Sequence, residues 1–247
     1  MHSRPIRLIR KYLPTAITLT AMCCGLTALR LSYIREDIYY SLLLLLLAAF
    51  LDGIDGKVAR RLNVESPVGA QLDSLADFLN FGITPALIMY EWHLKDLYFF
   101  GWAATLIFMC GGAYRLARFN VMYSNKGMEN ISSNFFVGVP SPAGAIIVFL
   151  PMVLTLQGYI KDETAIFTTL YVVFCAFLMV STIKTPSHKM LIFTRKRMLP
   201  IMLSFGIFIG ISISNPFNSY LAATIGYLIV ITVLYFRNEV YRKRVVR

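Results

Sequence analysis

Apolar residues come in eight long runs, and a chain patterned this way has few folds open to it. The approximate cores of the runs are 13–29, 38–60, 70–90, 97–118, 138–159, 164–183, 199–214 and 218–236. At about 1.5 Å per helical residue, most can cross the roughly 30 Å hydrocarbon core of a bilayer. The seventh is short enough to be re-entrant. Where no water is present, every backbone N–H and C=O must find a partner inside the protein, so spanning runs are expected as helices. Of the 247 residues 57% are hydrophobic and only 15% are charged, a balance foreign to a soluble domain. The fold expected is all-α: a polytopic membrane helical bundle of about eight transmembrane helices.

The cations set the orientation. All lysines and arginines except Arg30, Arg35, Lys95 and Lys161 fall at the chain ends or after the second, fourth and sixth runs. Cytoplasmic loops carry such an excess, so both termini are expected on the cytoplasmic side of the membrane. The net charge of +11 is then mostly a topology signal and calls for no nucleic acid. The opening "MHSRPIRLIRKYL" mixes basic and apolar residues and has no small-residue cleavage site. Residues 1–12 therefore read as an amphipathic juxtamembrane segment rather than a secretory leader. The cysteines Cys23, Cys24, Cys110 and Cys175 lie inside apolar runs without a CxxC pair and read as small apolar fillers. The longest linker expected is 119–137, on the cytoplasmic side.

Against this background, "LDGIDGKVARRLNVESPVGAQLDSLAD", residues 51–77, is anomalous. Asp52 and Asp55 are spaced i, i+3, and Asp73 and Asp77 i, i+4, so each pair shares a helix face. The short connection between them makes the two helices an antiparallel pair and brings four carboxylates to one depth. An aspartate exposed to lipid at mid-bilayer costs roughly 2.5–3.5 kcal/mol, so these belong in a cleft. Clustered carboxylates repel, and all-oxygen ligands suit one or two hard divalent cations, Mg²⁺ or Mn²⁺. Small Gly53, Gly56, Ala59 and Gly69 let a ligand approach the backbone closely. Arg60, with Lys57 and Arg61 nearby, offers charge to a phosphate. Acids for a metal and an arginine for phosphate suit phosphoryl transfer. An ion pathway or a structural salt-bridge network are the other readings that these residue types allow.

The pattern D-x2-D-G-x2-A-R-x8-G-x3-D-x3-D, formed by Asp52, Asp55, Gly56, Ala59, Arg60, Gly69, Asp73 and Asp77, resembles the signature of the CDP-alcohol phosphotransferase family. The stretches "DSLADFLNFGITPA", "YRLARFNV", "FVGVPSPAGA" and "LPTAITLTAMCCGLTALR" look like the membrane-integral phosphatidylserine synthase branch. Thr15 after Pro14, in place of the commoner asparagine, and Ala21 depart from that branch. The resemblance implies a six-helix catalytic core, residues 13–183, followed by two further transmembrane helices and a basic tail in 184–247. It implies a homodimer in the membrane that transfers the phosphatidyl group of CDP-diacylglycerol to the hydroxyl of L-serine and releases CMP. Asp52, Asp55 and Asp73 match the metal ligands, and Asp77 matches the general base, which also touches a second metal. Asp52, Gly56, Ala59, Arg60 and Gly69 match the CDP-diacylglycerol-binding positions, with Thr18 of the first run beside them. Arg115, Arg118, Asn120 and Ser141 are the candidate contacts for the acceptor or a phosphate. A sister transferase acting on glycerol 3-phosphate, an inositol phosphate or choline, and more remotely a cation channel or transporter, are the alternatives.

Overall fold

A computed structural model describes residues 4–34, 38–126, 135–160, 165–181, 184–186 and 216–245. The described chain is helical apart from two three-residue strands. Helix α1 (Arg4–Ser32) pairs with α2 (Ile38–Leu62). The next rod is α3 (Pro67–Phe78), a π turn (Leu79–Ile83) and α4 (Thr84–Trp92). A 3₁₀ turn (Leu94–Leu97) leads to α5 (Tyr98–Lys126). Then come β1 (Phe135–Val137), α6 (Ser141–Val148), α7 (Leu150–Leu156), α8 (Ala165–Val180), β2 (Lys184–Pro186) and α9 (Pro216–Val245). Strands β1 and β2 pair antiparallel, with Phe136 opposite Thr185. The seventh apolar run, 199–214, lies outside the described residues.

The α1–α2 pair shows how sequence spacing places the acids. On α1 the inward positions are Pro14, Thr18, Ala21, Gly25, Ala28 and Ser32, at alternating steps of four and three. On α2 they are Ile38, Ser41, Leu45 and Ala48, and Asp55 closes the same stripe. Side chains this small let two backbones approach closely, where polar groups can bond across the seam. Ser41 Oγ donates to the Ala28 carbonyl at 2.7 Å near one end, and Thr18 Oγ donates to Asp55 at 2.5 Å near the other. The opposite face of α2 carries Leu43, Leu46, Leu47 and Phe50 outward. The acids therefore continue the protein-facing stripe of an otherwise leucine-covered helix.

The π turn follows Asp77 directly. Thr84 N–H bonds to the carbonyl of Leu79, five residues back, so one extra residue fits into the rod. Such turns cluster at functional sites because they rotate the side chains that follow. Here the turn carries Asn80 into full burial against Gly25 of α1. A Cβ at position 25 would overlap Asn80 Oδ1, so the approach of α1 to the turn requires glycine.

The main core lies among α4, α5, α6 and α8, around Ile88, Met89, Phe108, Ile147, Val172 and Met179. Gly138 precedes α6 with φ +81, and a Cβ there would meet the Met179 and Ser181 carbonyls at 2.6 and 2.8 Å. "GVPSPAG" thus ends one segment, turns the chain against the end of α8 and restarts it at Ser141 with Pro142 in the first turn. Residues 119–126, expected in a linker, instead extend α5 to Lys126. No proline or glycine interrupts "FNVMYSNK", and Gly127 follows it.

Among the described residues two segments, Arg10–Ser32 and Leu94–Met122, are long and apolar enough to cross a membrane. The 141–156, 165–180 and 217–230 segments are shorter apolar helices. Leu19, Leu26, Leu106, Ile107, Phe174, Phe177, Ile229 and Val233 point outward and give the bundle an apolar exterior. That exterior suits a protein that sits in lipid.

Candidate active site

Helix α2 ends in the acids because its inward stripe continues through them, and α3 begins beside it because of a local stop and start. Asn63, at φ 52, turns the chain. Ser66 then caps α3 by accepting a hydrogen bond from Gly69 N–H at 3.0 Å, with Pro67 in the first turn. A Cβ on Gly69 would lie 3.1 Å from that same Ser66 Oγ.

This turn brings the two acidic pairs together. Asp52, Asp55 and Asp73 each offer a carboxylate oxygen, and all three oxygens lie within 4.8 Å of one another. The carboxyl of Asp77 lies beside that of Asp52. Asp55 is buried and doubly held: Thr18 Oγ donates to Oδ2 at 2.5 Å, and its neighbour Gly56 N–H donates to Oδ1 at 2.6 Å. At an effective dielectric of about 20, two carboxylates roughly 5 Å apart repel by about 3 kcal/mol. Among the described residues no lysine or arginine forms an ion pair with any of the four.

The donor set fits a divalent cation. It is all carboxylate oxygen, its members converge, and Asp52 Oδ1 is buried with no hydrogen-bond partner. Beside it the surface is open: a Cβ at Gly53 would meet nothing within 4 Å, and one at Gly56 would meet only Arg60 Nη1, at 3.7 Å. The Arg60 guanidinium thus folds back over Gly56, and it interacts electrostatically with Asp73. Acids, bare backbone and one cation share one surface, with Ala59 half-buried between them.

The four residues singled out beyond α4 separate into different places. Arg115 of α5 is only 9% exposed, and its Nη1 donates to Ser141 Oγ of α6 at 2.6 Å. Its charge acts on Asp77. Arg118 reaches the end of α8, where Nη1 donates to the Val180 carbonyl at 3.0 Å and Nη2 to the Ser181 carbonyl at 3.3 Å. A cation at a helix C-terminus is well placed to hold that helix. Asn120 Nδ2 donates to Ser74 Oγ at 3.1 Å and ties α5 to α3 next to Asp73. Two polar residues at or behind the acids carry no sequence signal: Asn80, in the π turn, and Tyr227 of α9, which interacts with Arg115.

The CDP-alcohol phosphatidyltransferase family profile matches residues 11–183, which hold every acid described above. A Mycobacterium tuberculosis protein named CDP-diacylglycerol–serine O-phosphatidyltransferase is 39% identical over 145 residues, 59% of this chain and 50% of its own length. Bacillus subtilis and Methanocaldococcus jannaschii proteins of the same name are 33% and 30% identical. Each alignment covers 72% of this chain, with 92% of the first protein and 75% of the second. The chain spans about half the length of the mycobacterial relatives it matches.

Proposed function

The chain belongs to the CDP-alcohol phosphatidyltransferase family, and from that premise we propose that it transfers the phosphatidyl group of CDP-diacylglycerol to L-serine, yielding phosphatidylserine and CMP. The observation that carries this reading is the convergence of three carboxylate oxygens within 4.8 Å, with Asp77 against them and a guanidinium at the edge. The relatives' names supply serine as the acceptor.

The residues take the following parts. Asp52, Asp55 and Asp73 would hold Mg²⁺ or Mn²⁺, and Asp77 would join them if a second ion binds; the metal would supply positive charge to the donor's pyrophosphate. Thr18 fixes Asp55 so that its carboxylate does not swing away. Gly56 leaves the backbone bare for the nucleotide, with small Ala59 and Gly69 as the further donor-binding positions, and Arg60 lies against the phosphates. Asp77 accepts the proton of the serine hydroxyl. The oxygen then forms its bond to the phosphorus bearing diacylglycerol as the bond to the CMP oxygen breaks. A serine hydroxyl is a weak nucleophile near neutral pH, so a base at this point is needed.

The reading extends to the membrane. Eight helices span a bacterial inner membrane with both ends cytoplasmic, which puts most of the basic loops inside. The 13–183 core is catalytic, 184–247 adds two helices and a basic tail, and 1–12 lies at the surface. The acids then face the cytoplasm, where serine arrives, while the donor's acyl chains stay in the inner leaflet. The homodimer implied by the family resemblance is part of the same reading.

The test is CMP release by the purified, detergent-solubilised protein, given CDP-diacylglycerol and Mn²⁺ or Mg²⁺. L-Serine, glycerol 3-phosphate, inositol 1-phosphate and choline are supplied in parallel. Metal-dependent release with serine alone is expected. Release with another acceptor alone contradicts the choice of serine and keeps the catalytic site. Silence with every acceptor, from folded protein, contradicts both.

A further inference from the structure

The Arg115 side chain is nine-tenths buried, yet its Nε has no hydrogen-bond partner. A buried guanidinium N–H left unpaired is costly, and native structures rarely leave one without a ligand or water to receive it. A second orphan lies close by. The Tyr227 hydroxyl on α9 is buried without a partner, and Tyr227 and Arg115 are near enough to interact electrostatically. Ser141 Oγ, held by Arg115 Nη1 at 2.6 Å, completes the set. Arg115 and Ser141 thus meet directly, and the buried Tyr227 hydroxyl on a third helix lies near enough to act on the same guanidinium. Arg115 also acts on Asp77, so this place adjoins the candidate base.

We propose that Arg115, Ser141 and Tyr227 form the pocket for the carboxylate of the acceptor amino acid, so that the C-terminal helix belongs to the substrate-binding machinery. The proposal rests on the serine reading above and adds a residue outside the 11–183 family match. The charge count selects the ligand. Arg118, the neighbouring cation on α5, is engaged with the Val180 and Ser181 carbonyls, which leaves one guanidinium for the pocket among the described residues. One guanidinium and two hydroxyls match a single negative charge with several lone pairs, as in a carboxylate. A phosphate monoester carries nearly two charges and calls for a second cation. With its carboxylate on Arg115, serine directs its hydroxyl toward Asp77.

The test uses the full-length protein in detergent and measures CMP release against L-serine and against L-serinamide, whose neutral amide replaces the carboxylate. Tyr227→Phe removes only the hydroxyl. The expected result is a roughly tenfold rise in KM for L-serine, with most of the loss in KM rather than kcat. KM for CDP-diacylglycerol should stay within twofold, and the preference for serine over serinamide should narrow. Calorimetric titration of L-serine onto the protein should show the same loss without turnover. Tyr220→Phe is the control. Tyr220 lies two turns earlier on the same face of α9 and donates to the Ile146 carbonyl. It reports how well the helix docks, and its serine KM should not move. An unchanged serine KM in Tyr227→Phe overturns the pocket, as does an equal rise in Tyr220→Phe. Wild-type protein that uses another acceptor and ignores serine overturns the serine reading itself.

Discussion

The four aspartates come from one hairpin, residues 52–77, whereas Arg115, Ser141 and Tyr227 come from three helices that meet only in the folded bundle. The first cluster is held by short-range geometry: helical spacing within each pair, a Ser66 cap between them, and one cross-helix bond from Thr18. The second is held by packing, with α5, α6 and α9 docked by contacts such as Tyr220 to the Ile146 carbonyl. A site built locally forms wherever its hairpin forms. A site built from distant helices changes whenever a connecting segment changes. That difference suits a transferase in which the nucleotide-linked donor is common to the family and the acceptor differs between members.

Three substitutions sharpen the contrast, from the largest effect to the smallest. Asp52→Asn keeps the shape of the hairpin but removes a charge from the converging oxygens. Turnover should fall at least a hundredfold, and titration with Mn²⁺ should no longer restore it; normal metal dependence in this variant would remove Asp52 from the ligand set. Thr18→Val deletes the 2.5 Å bond to Asp55 and leaves all four acids in place. A hydrogen bond to a charged group is worth about 1.5–3 kcal/mol, so activity should drop about tenfold or somewhat more. The metal concentration for half-maximal activity should rise with it; a variant with wild-type metal response would show that Asp55 needs no support from α1. Ser66→Ala removes the cap of α3 at the protein surface. It should cost about 1 kcal/mol of stability, visible as a small drop in Tm, and change turnover less than twofold. A large loss of activity there would mean that the hairpin is less self-sufficient than its geometry implies.

The two regions also differ in how far a reader of the sequence can see them. The acidic spacing, the small residues between and the break at residues 63–66 all follow from local rules, so the converging carboxylates are legible before any fold is known. So are the helical runs, because an apolar stretch of spanning length has little choice of structure. Asn80 is less visible. Its burial depends on the π turn and on the absence of a Cβ at Gly25, and neither follows from periodicity. Arg115 and Arg118 look alike in "YRLARFN", yet one faces the acids and the other holds the end of α8. Three residues apart on α5, they meet different neighbours, which only tertiary packing supplies. Tyr227 sits in "GYLIVITVLYF" without any signal, since its nearness to Arg115 comes entirely from tertiary packing.

The central claim is that the acids form a transfer site in which Asp77 takes the acceptor's proton. Asp77→Asn tests it most directly, with two measurements on one preparation: binding of CDP-diacylglycerol and single-turnover release of CMP on adding L-serine and Mn²⁺. The account predicts donor affinity within a few-fold of wild type and CMP release slowed at least a thousandfold, the upper range for a lost general base. Release at the wild-type rate by the Asp77→Asn protein would contradict it.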